Sequence, residues 1–333
     1  VDLGALGLPP IFAAAGGLSV LDGPEHARLR ALFVPAFAAD RVAVLTPTLE
    51  RIVDQLLDRV ADQPLPVDLC EHLAHPLPVR VSCALLGLAP AAADRFAAAT
   101  EEATRCFVRG FLERGVRVWQ EMLRDLRQEL QRKLAEPGPD LLTELTAGRG
   151  GSGVDTDTVL DLAARVLGAG HGTTSVQLGF GAVALLRNPE QLAVLREEPT
   201  LVPTAVEEIL RFYPPVTSVG SPMRFAKVDT EVGGVRIPAG SLVLVSTHAA
   251  SMCPQHFPEP ETFDVRRTHN PHLAFGHGPH RCLADALARH TLRAAIDGLL
   301  RRFPKLELAI PVEDLRQTTY GVAIGFREIP VRW

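Results

Sequence analysis

Cysteine is scarce and unpatterned in this chain of 333 residues: Cys70, Cys83, Cys106, Cys253 and Cys282 are five, an odd number at irregular spacing. No C-x-x-C pair occurs. A zinc site, an iron–sulfur cluster and a disulfide framework are therefore not expected, and the chain reads as reduced and intracellular. No flavin-binding pattern is present either, so electrons for any redox chemistry must come from outside. Positive charge is not in excess. A net charge of −5 and a pI near 6.1 argue against nucleic acid as a partner. No basic segment followed by a short apolar run opens the sequence, so no secretory signal is read there. The longest apolar stretch, 159–186, is interrupted by Arg165, His171 and Gln177. It predicts a buried helix rather than a membrane span. No Gly/Ser-rich or charged linker divides the chain, and 47% hydrophobic residues can bury a large core. A single domain over residues 1–333, in the cytoplasm and away from membranes, is the expectation.

What is present centres on Leu273–Ala284, with the sequence LAFGHGPHRCLA. Gly276 and Gly278 lack a Cβ and can take backbone angles closed to other residues. Pro279 stiffens the loop. Strong helix formers follow Cys282, which places its sulfur near a helix N-terminus, where free N–H groups favour a thiolate. A thiolate beside a flat surface built of glycine suits an axial ligand of haem iron. A lone cysteine is otherwise a small buried apolar residue.

Other segments carry readings of their own. Asp22 to Arg30 opens a helix, capped by Asp22 or Gly23, with His26 and Arg30 on one face. Pro47 to Ala61 is amphipathic, and Val67 to Gly87 reads as a strand or turn followed by a helix. A long central helix is predicted from about Asp155 to Arg187, capped by Asp155 or Thr156. Its middle, Gly168 to Thr174, holds three glycines in five positions. Each costs about 1 kcal/mol relative to alanine in a helix interior, so a bend, a bulge or a close helix crossing is expected there. Glu208 and Arg211 can pair along a helix. Residues 147–153 read as a flexible loop, 232–246 as short strands joined by turns, and Tyr320 to Trp333 as a hairpin.

Phe275, Gly276, Gly278, His280, Cys282 and Ala284 together match a ten-residue signature, and on it the chain resembles the cytochrome P-450 family. The resemblance runs from Asp22 to Trp333 through five motifs in order: the His26–Arg30 segment, the Gly168–Thr174 segment, Glu208–Arg211, Arg267 and the cysteine loop. It implies a mainly α fold with small β-sheets (α+β), with haem b between a long distal helix and a proximal cysteine loop. Cys282 would ligate the iron. His26, Arg30, Arg224 and His280 would neutralise the propionates, and Phe275, Gly276 and Ala169 would border the ring. Thr173 would pass protons to oxygen. Gly172 stands where the family usually has Asp or Glu, and residues 250–253 depart from a common A-N-R-D. Glu208, Arg211 and Arg267 would be structural. Residues 216–219 and the hairpin tip at 322–324 would border the pocket.

The implied activity is that of a haem-thiolate monooxygenase inserting oxygen into a hydrophobic small molecule of secondary metabolism. Ferredoxin and ferredoxin reductase would supply electrons, docking near Arg281, Arg289, His290 and Arg293. Two alternatives stand beside it: an auxiliary relative that activates a partner glycosyltransferase, and a peroxide-driven haem enzyme. Members of the family usually carry several dozen further residues ahead of His26, where this chain has 25. Some strands and a substrate-covering helix-loop of the usual fold are thus expected to be missing.

Overall fold

The computed structural model describes residues 18, 21–108, 111–146, 155–214, 223–320 and 323–333. Helices dominate. Helices α1 (Gly23–Phe33), α2 (Ala39–Val44) and α3 (Thr46–Ala61) come first. In α3, Leu49, Val53, Leu56, Leu57 and Val60 fall at helical spacing and form one buried stripe. A two-residue strand β1 (Val67–Asp68) and a π-turn (Cys70–Ala74) precede α4 (Pro76–Leu85). The single helix read between residues 67 and 87 is thus broken. Pro76 and Pro78 lack the N–H that a continuous helix would need, and both sit in the first turn of α4. Helices α5 (Pro90–Val108), α6 (Leu112–Ala135) and α7 (Leu141–Thr146) follow.

The central helix α8 (Thr156–Arg187) spans 32 residues. Its start is fixed by Asp155, whose carboxylate accepts the Thr158 N–H at 2.9 Å and the Thr158 hydroxyl at 2.6 Å. It is apolar nearly all round, as a core helix must be. The helix runs unbroken through its glycines. A Cβ on Gly168 would meet Trp119 of α6 at 3.3 Å, and one on Gly170 would meet Ser82 of α4 at 3.0 Å. Of the expectations for this segment, close helix crossing is the one that holds at these two positions.

Helices α9 (Pro189–Glu197) and α10 (Val202–Phe212) lead to short strands. Strand β2 (Met223–Phe225) pairs with β5 (Leu242–Leu244), and β3 (Thr230–Val232) with β4 (Val235–Ile237), all antiparallel. After α11 (Thr247–Ser251) and the cysteine loop comes α12 (Asp285–Arg302). This helix lies so close to α3 that a Cβ on Gly298 would be 2.7 Å from Val53.

The C-terminal hairpin is displaced from its expected place. It is formed by β7 (Gln317–Tyr320) and β8 (Ala323–Phe326). The last strand, β9 (Pro330–Arg332), leaves it to lie between β1 and β6 (Glu307–Leu308). Asp68 directs that pairing by accepting the Ile329 N–H at 2.7 Å. The readings for residues 1–17, 19–20, 147–153 and 216–219, and for Val322, lie outside the described residues. Among the described residues no single helix is long and apolar enough to cross a membrane.

Candidate functional site

The cysteine loop is folded by its own backbone. Gly276 and Gly278 take φ of +69° and +79°, angles that a side chain would strain. Apart from the adjoining residues of the chain, no described protein atom lies within 4 Å of a Cβ built on either. The Cys282 N–H donates to the Phe275 carbonyl at 2.8 Å, and the Gly276 N–H to the Leu273 carbonyl at 2.9 Å. Cys282 is an exposed residue with a free thiol, two residues before the cap of α12. Burial pushes the Cys282 thiol up, and the Ala284 N–H, bonded to the sulfur, offsets that shift only in part.

Helix α1 brings His26 and Arg30 to this loop. The His26 ring lies tilted against that of His280, with centroids 4.4 Å apart, and Arg30 donates to the Arg281 carbonyl at 2.7 Å. His280 Nε2 lies 2.9 Å from an Asp22 carboxylate oxygen. Asp22 stands at the cap position of α1, but its side chain makes no cap bond; His280 takes it instead. That bond holds the Asp22 carboxyl below its ordinary range. His26 is sealed by its neighbours, and its Nε2 has no hydrogen-bond partner. Burial, with the His280 and Arg30 charges, pushes the His26 imidazole below its usual pKa. Arg224 lies on β2 opposite Val243 of β5, near enough to add to the positive field at Asp22.

On α8, Ala169 is exposed and Gly172 and Thr173 are half-buried, in the middle of a helix otherwise sunk in the core. The Thr173 hydroxyl donates to the Ala169 carbonyl at 3.3 Å. His171 is buried, with its ring 6.2 Å from that of His75. It therefore points into the core and cannot replace the carboxylate that Gly172 lacks.

Behind the loop, Arg211 is fully buried. It donates twice to Glu208 at 2.8 Å and to the carbonyls of Ser251 and Pro260 at 3.0 and 2.7 Å. Arg267 and Asn270 complete the Glu208 carboxylate at 3.1 and 3.2 Å. The pair is worth little when exposed; here it joins four segments.

The cations expected to form a basic patch on and beside α12 are paired with acids. Arg289 bonds Glu207 at 2.8 Å and Asp285 at 3.0 Å, Arg293 reaches Glu207 at 3.6 Å, and Arg281 pairs with Asp285. His290 Nδ1 sits 3.4 Å from the Thr46 hydroxyl. Spacing along α12 shows the cations, but folding brings Glu207 from α10. Sequence reasoning missed Asp22 as a side-chain partner, Glu207 and His272. Only Glu207 had a local signal, its place beside Glu208.

These surfaces fit an iron porphyrin. A soft sulfur is presented with the Ala284 N–H bonded to it, open glycine backbone flanks it, and a buried imidazole nitrogen is left for an acceptor that the described chain does not supply.

Comparison with known proteins agrees. A family model for cytochrome P450 matches residues 108–319. The chain is 40% identical to a cytochrome P450 BJ-1 homolog of Sinorhizobium fredii, over 98% of this chain and 84% of that one. It is also 40% identical to nocardicin C N-oxygenase of Nocardia uniformis, over 97% and 81%. In structure it is similar to the LnmA cytochrome P450 hydroxylase from the leinamycin biosynthetic pathway of Streptomyces atroolivaceus. There the TM-score is 0.87 at 37% identity, covering 95% of this chain and 81% of the other. The chain belongs to the cytochrome P450 family, the haem-binding monooxygenases.

Proposed function

We propose that Cys282 is the axial thiolate of a haem b held between the cysteine loop and the Ala169–Thr173 face of α8, in a single domain formed by the whole chain. The observation that carries this is the pairing of a free, exposed Cys282 with the partnerless, buried Nε2 of His26. When bound, the haem supplies the activation of molecular oxygen, one atom of which enters the substrate. The residues do the rest. Ala284 N–H stabilises the sulfur as thiolate. His26, Arg30 and Arg224 offer donors and positive charge to the propionates, and His280 holds the His26 ring in place from the Asp22 carboxylate. Phe275 and Gly276 lie at the mouth of the loop, where they would border the ring.

Thr173 holds its hydroxyl against the Ala169 carbonyl, so the oxygen can take a proton from the distal side and hand on its own. With Gly172 there is no carboxylate beside it, and a water or a polar group of the substrate must provide the next donor. The substrate is a hydrophobic small molecule of a natural-product pathway, by analogy with relatives named for nocardicin C and mycinamicin IV. Electrons come from a ferredoxin and its reductase, and the protein works in the cytoplasm. The auxiliary reading is not favoured, because the complete cysteine loop has no use in a protein without haem.

The test is a spectrum and a turnover assay. The reduced protein with carbon monoxide should give the shifted Soret band of thiolate-ligated haem. Failure to take up haem when it is amply supplied would overturn the proposal. Turnover should follow addition of ferredoxin, ferredoxin reductase and NAD(P)H. Turnover with peroxide alone would move the protein to the peroxide-driven class.

A further inference from the structure

We infer that Glu207 is a positioning residue for the Cys282 loop, acting separately from the Glu208–Arg211 pair beside it. The inference rests on Cys282 as haem ligand. Glu207 sits on α10, and its two oxygens go to the two ends of the loop. Oε2 lies 3.1 Å from His272 Nε2, at the point where the loop begins. His272 is buried, and its Nδ1 accepts the Ala274 N–H at 3.2 Å. A backbone N–H can only donate, so the imidazole proton is on Nε2 and is given to Glu207. Oε1 accepts from Arg289 Nε at 2.8 Å, on the helix that follows the loop. Arg289 in turn sets its guanidinium 4.4 Å from the centroid of the Phe275 ring, a cation–π contact. The Phe275 carbonyl is the group that holds the Cys282 N–H at 2.8 Å.

One carboxylate thus clamps the start of the loop, the helix after it, and through Arg289 the residue that fixes the cysteine backbone. Burial opposes its ionisation, but the hydrogen bonds from His272 and Arg289 outweigh burial and hold its carboxyl at about 2. The negative charge has a second consequence. It balances Arg289, which otherwise adds positive field at the Cys282 sulfur. With Glu207 neutral, that field would favour the added electron of the reduced haem.

The test compares Glu207→Gln, His272→Phe and, as a control on an exposed ion pair with Arg266, Glu198→Gln. Two states are measured: the haem-free chain by amide exchange over residues 273–284, and the haem-loaded protein by its reduced carbon monoxide spectrum and midpoint potential. Glu207→Gln keeps the shape but its amide nitrogen cannot accept a bond. The Cys282 amide should exchange at least about tenfold faster in both loop variants, an opening easier by about 1.4 kcal/mol. The thiolate-type fraction should fall at least about twofold. The midpoint should rise in Glu207→Gln, by about 59 mV if the reduction equilibrium shifts tenfold. It should stay in place in His272→Phe, where Arg289 remains paired. Glu198→Gln should match the wild type throughout. If Glu207→Gln does not fold, His272→Phe decides on exchange and thiolate fraction alone. Folded variants with wild-type exchange and wild-type thiolate fraction would overturn the inference. A wild-type protein without the thiolate band would instead defeat the haem-thiolate reading itself, which the haem-free exchange data keep distinct.

Discussion

The two walls of the site are finished to different degrees. Behind the cysteine loop, Glu208, Arg211 and Arg267 satisfy one another and four backbone segments, with Glu208 and Arg211 at 0% exposure. On the facing side, Ala169 is exposed in the middle of a core helix, Cys282 is accessible, and His26 carries a buried nitrogen with no partner. Buried polar groups in a folded chain are almost always bonded. A wall whose buried charges are all paired with one another is architecture. A wall that leaves an imidazole orphaned and a thiol open is built for something that is not polypeptide.

The strongest way to break this comparison is Cys282→Ser. Haem bound through the thiolate should be lost, turnover should fall to background, and the carbon monoxide band should leave its thiolate position. The fold should survive, because the Cys282 side chain packs no core. A full-activity variant would remove the basis for the contrast. Next comes the finished wall. Glu208→Gln leaves Arg211 with an uncompensated buried charge, which costs about 3–5 kcal/mol. Denaturant midpoints of the haem-free chain should fall accordingly, while Cys282→Ser should leave them nearly unchanged. Each wall would then have its own signature, stability for one and spectrum for the other.

How legible these walls were in the sequence follows the same division. The cysteine loop, the central helix with its Asp155 cap and the Glu208–Arg211–Arg267 set were all readable, because each depends on local spacing or a contiguous motif. The hairpin was misplaced because Asp68, some 260 positions away, captures Ile329. The pairing within the basic patch was not legible because Glu207 arrives from another helix. The glycines of α8 were ambiguous since the same residues serve a kink or a crossing, and only Trp119 and Ser82 decide between them. What spacing cannot give is a long-range partner. Such partners distinguish a charged face from a neutral one.

A smaller effect sharpens the picture on α8. Thr173→Val keeps the shape of the side chain and removes the hydroxyl now held by the Ala169 carbonyl. A proton-transfer group typically contributes about 10²–10⁴-fold. Without a neighbouring carboxylate the share of Thr173 should lie at the lower end, about 10²-fold in product formed per electron consumed. Gly172→Glu restores the acid and should raise that coupling. If it does not, the substrate already brings its own donor.

The smallest effect concerns His26, and it sets stability against function at one atom. In the haem-free chain the buried Nε2 lacks a partner, a cost of about 1 kcal/mol. His26→Phe removes that cost and keeps the ring against His280, so the haem-free chain should become more stable by about that amount. Haem affinity should fall, since a donor to a propionate is gone. The two changes must have opposite signs; a variant weakened in both respects would make His26 an ordinary core residue. A pH series adds an independent reading. Burial first, then the His280 and Arg30 charges, lower the His26 pKa in the folded chain beneath the ordinary histidine value of 6.5. Above 6.5 the ring is neutral in both folded and unfolded states and contributes no slope. As pH falls below 6.5, the unfolded chain takes a proton that folded His26 refuses, so stability drops until the folded pKa is passed. His26→Phe should flatten that part of the curve, and the gap between variant and wild type should widen as the solution is acidified.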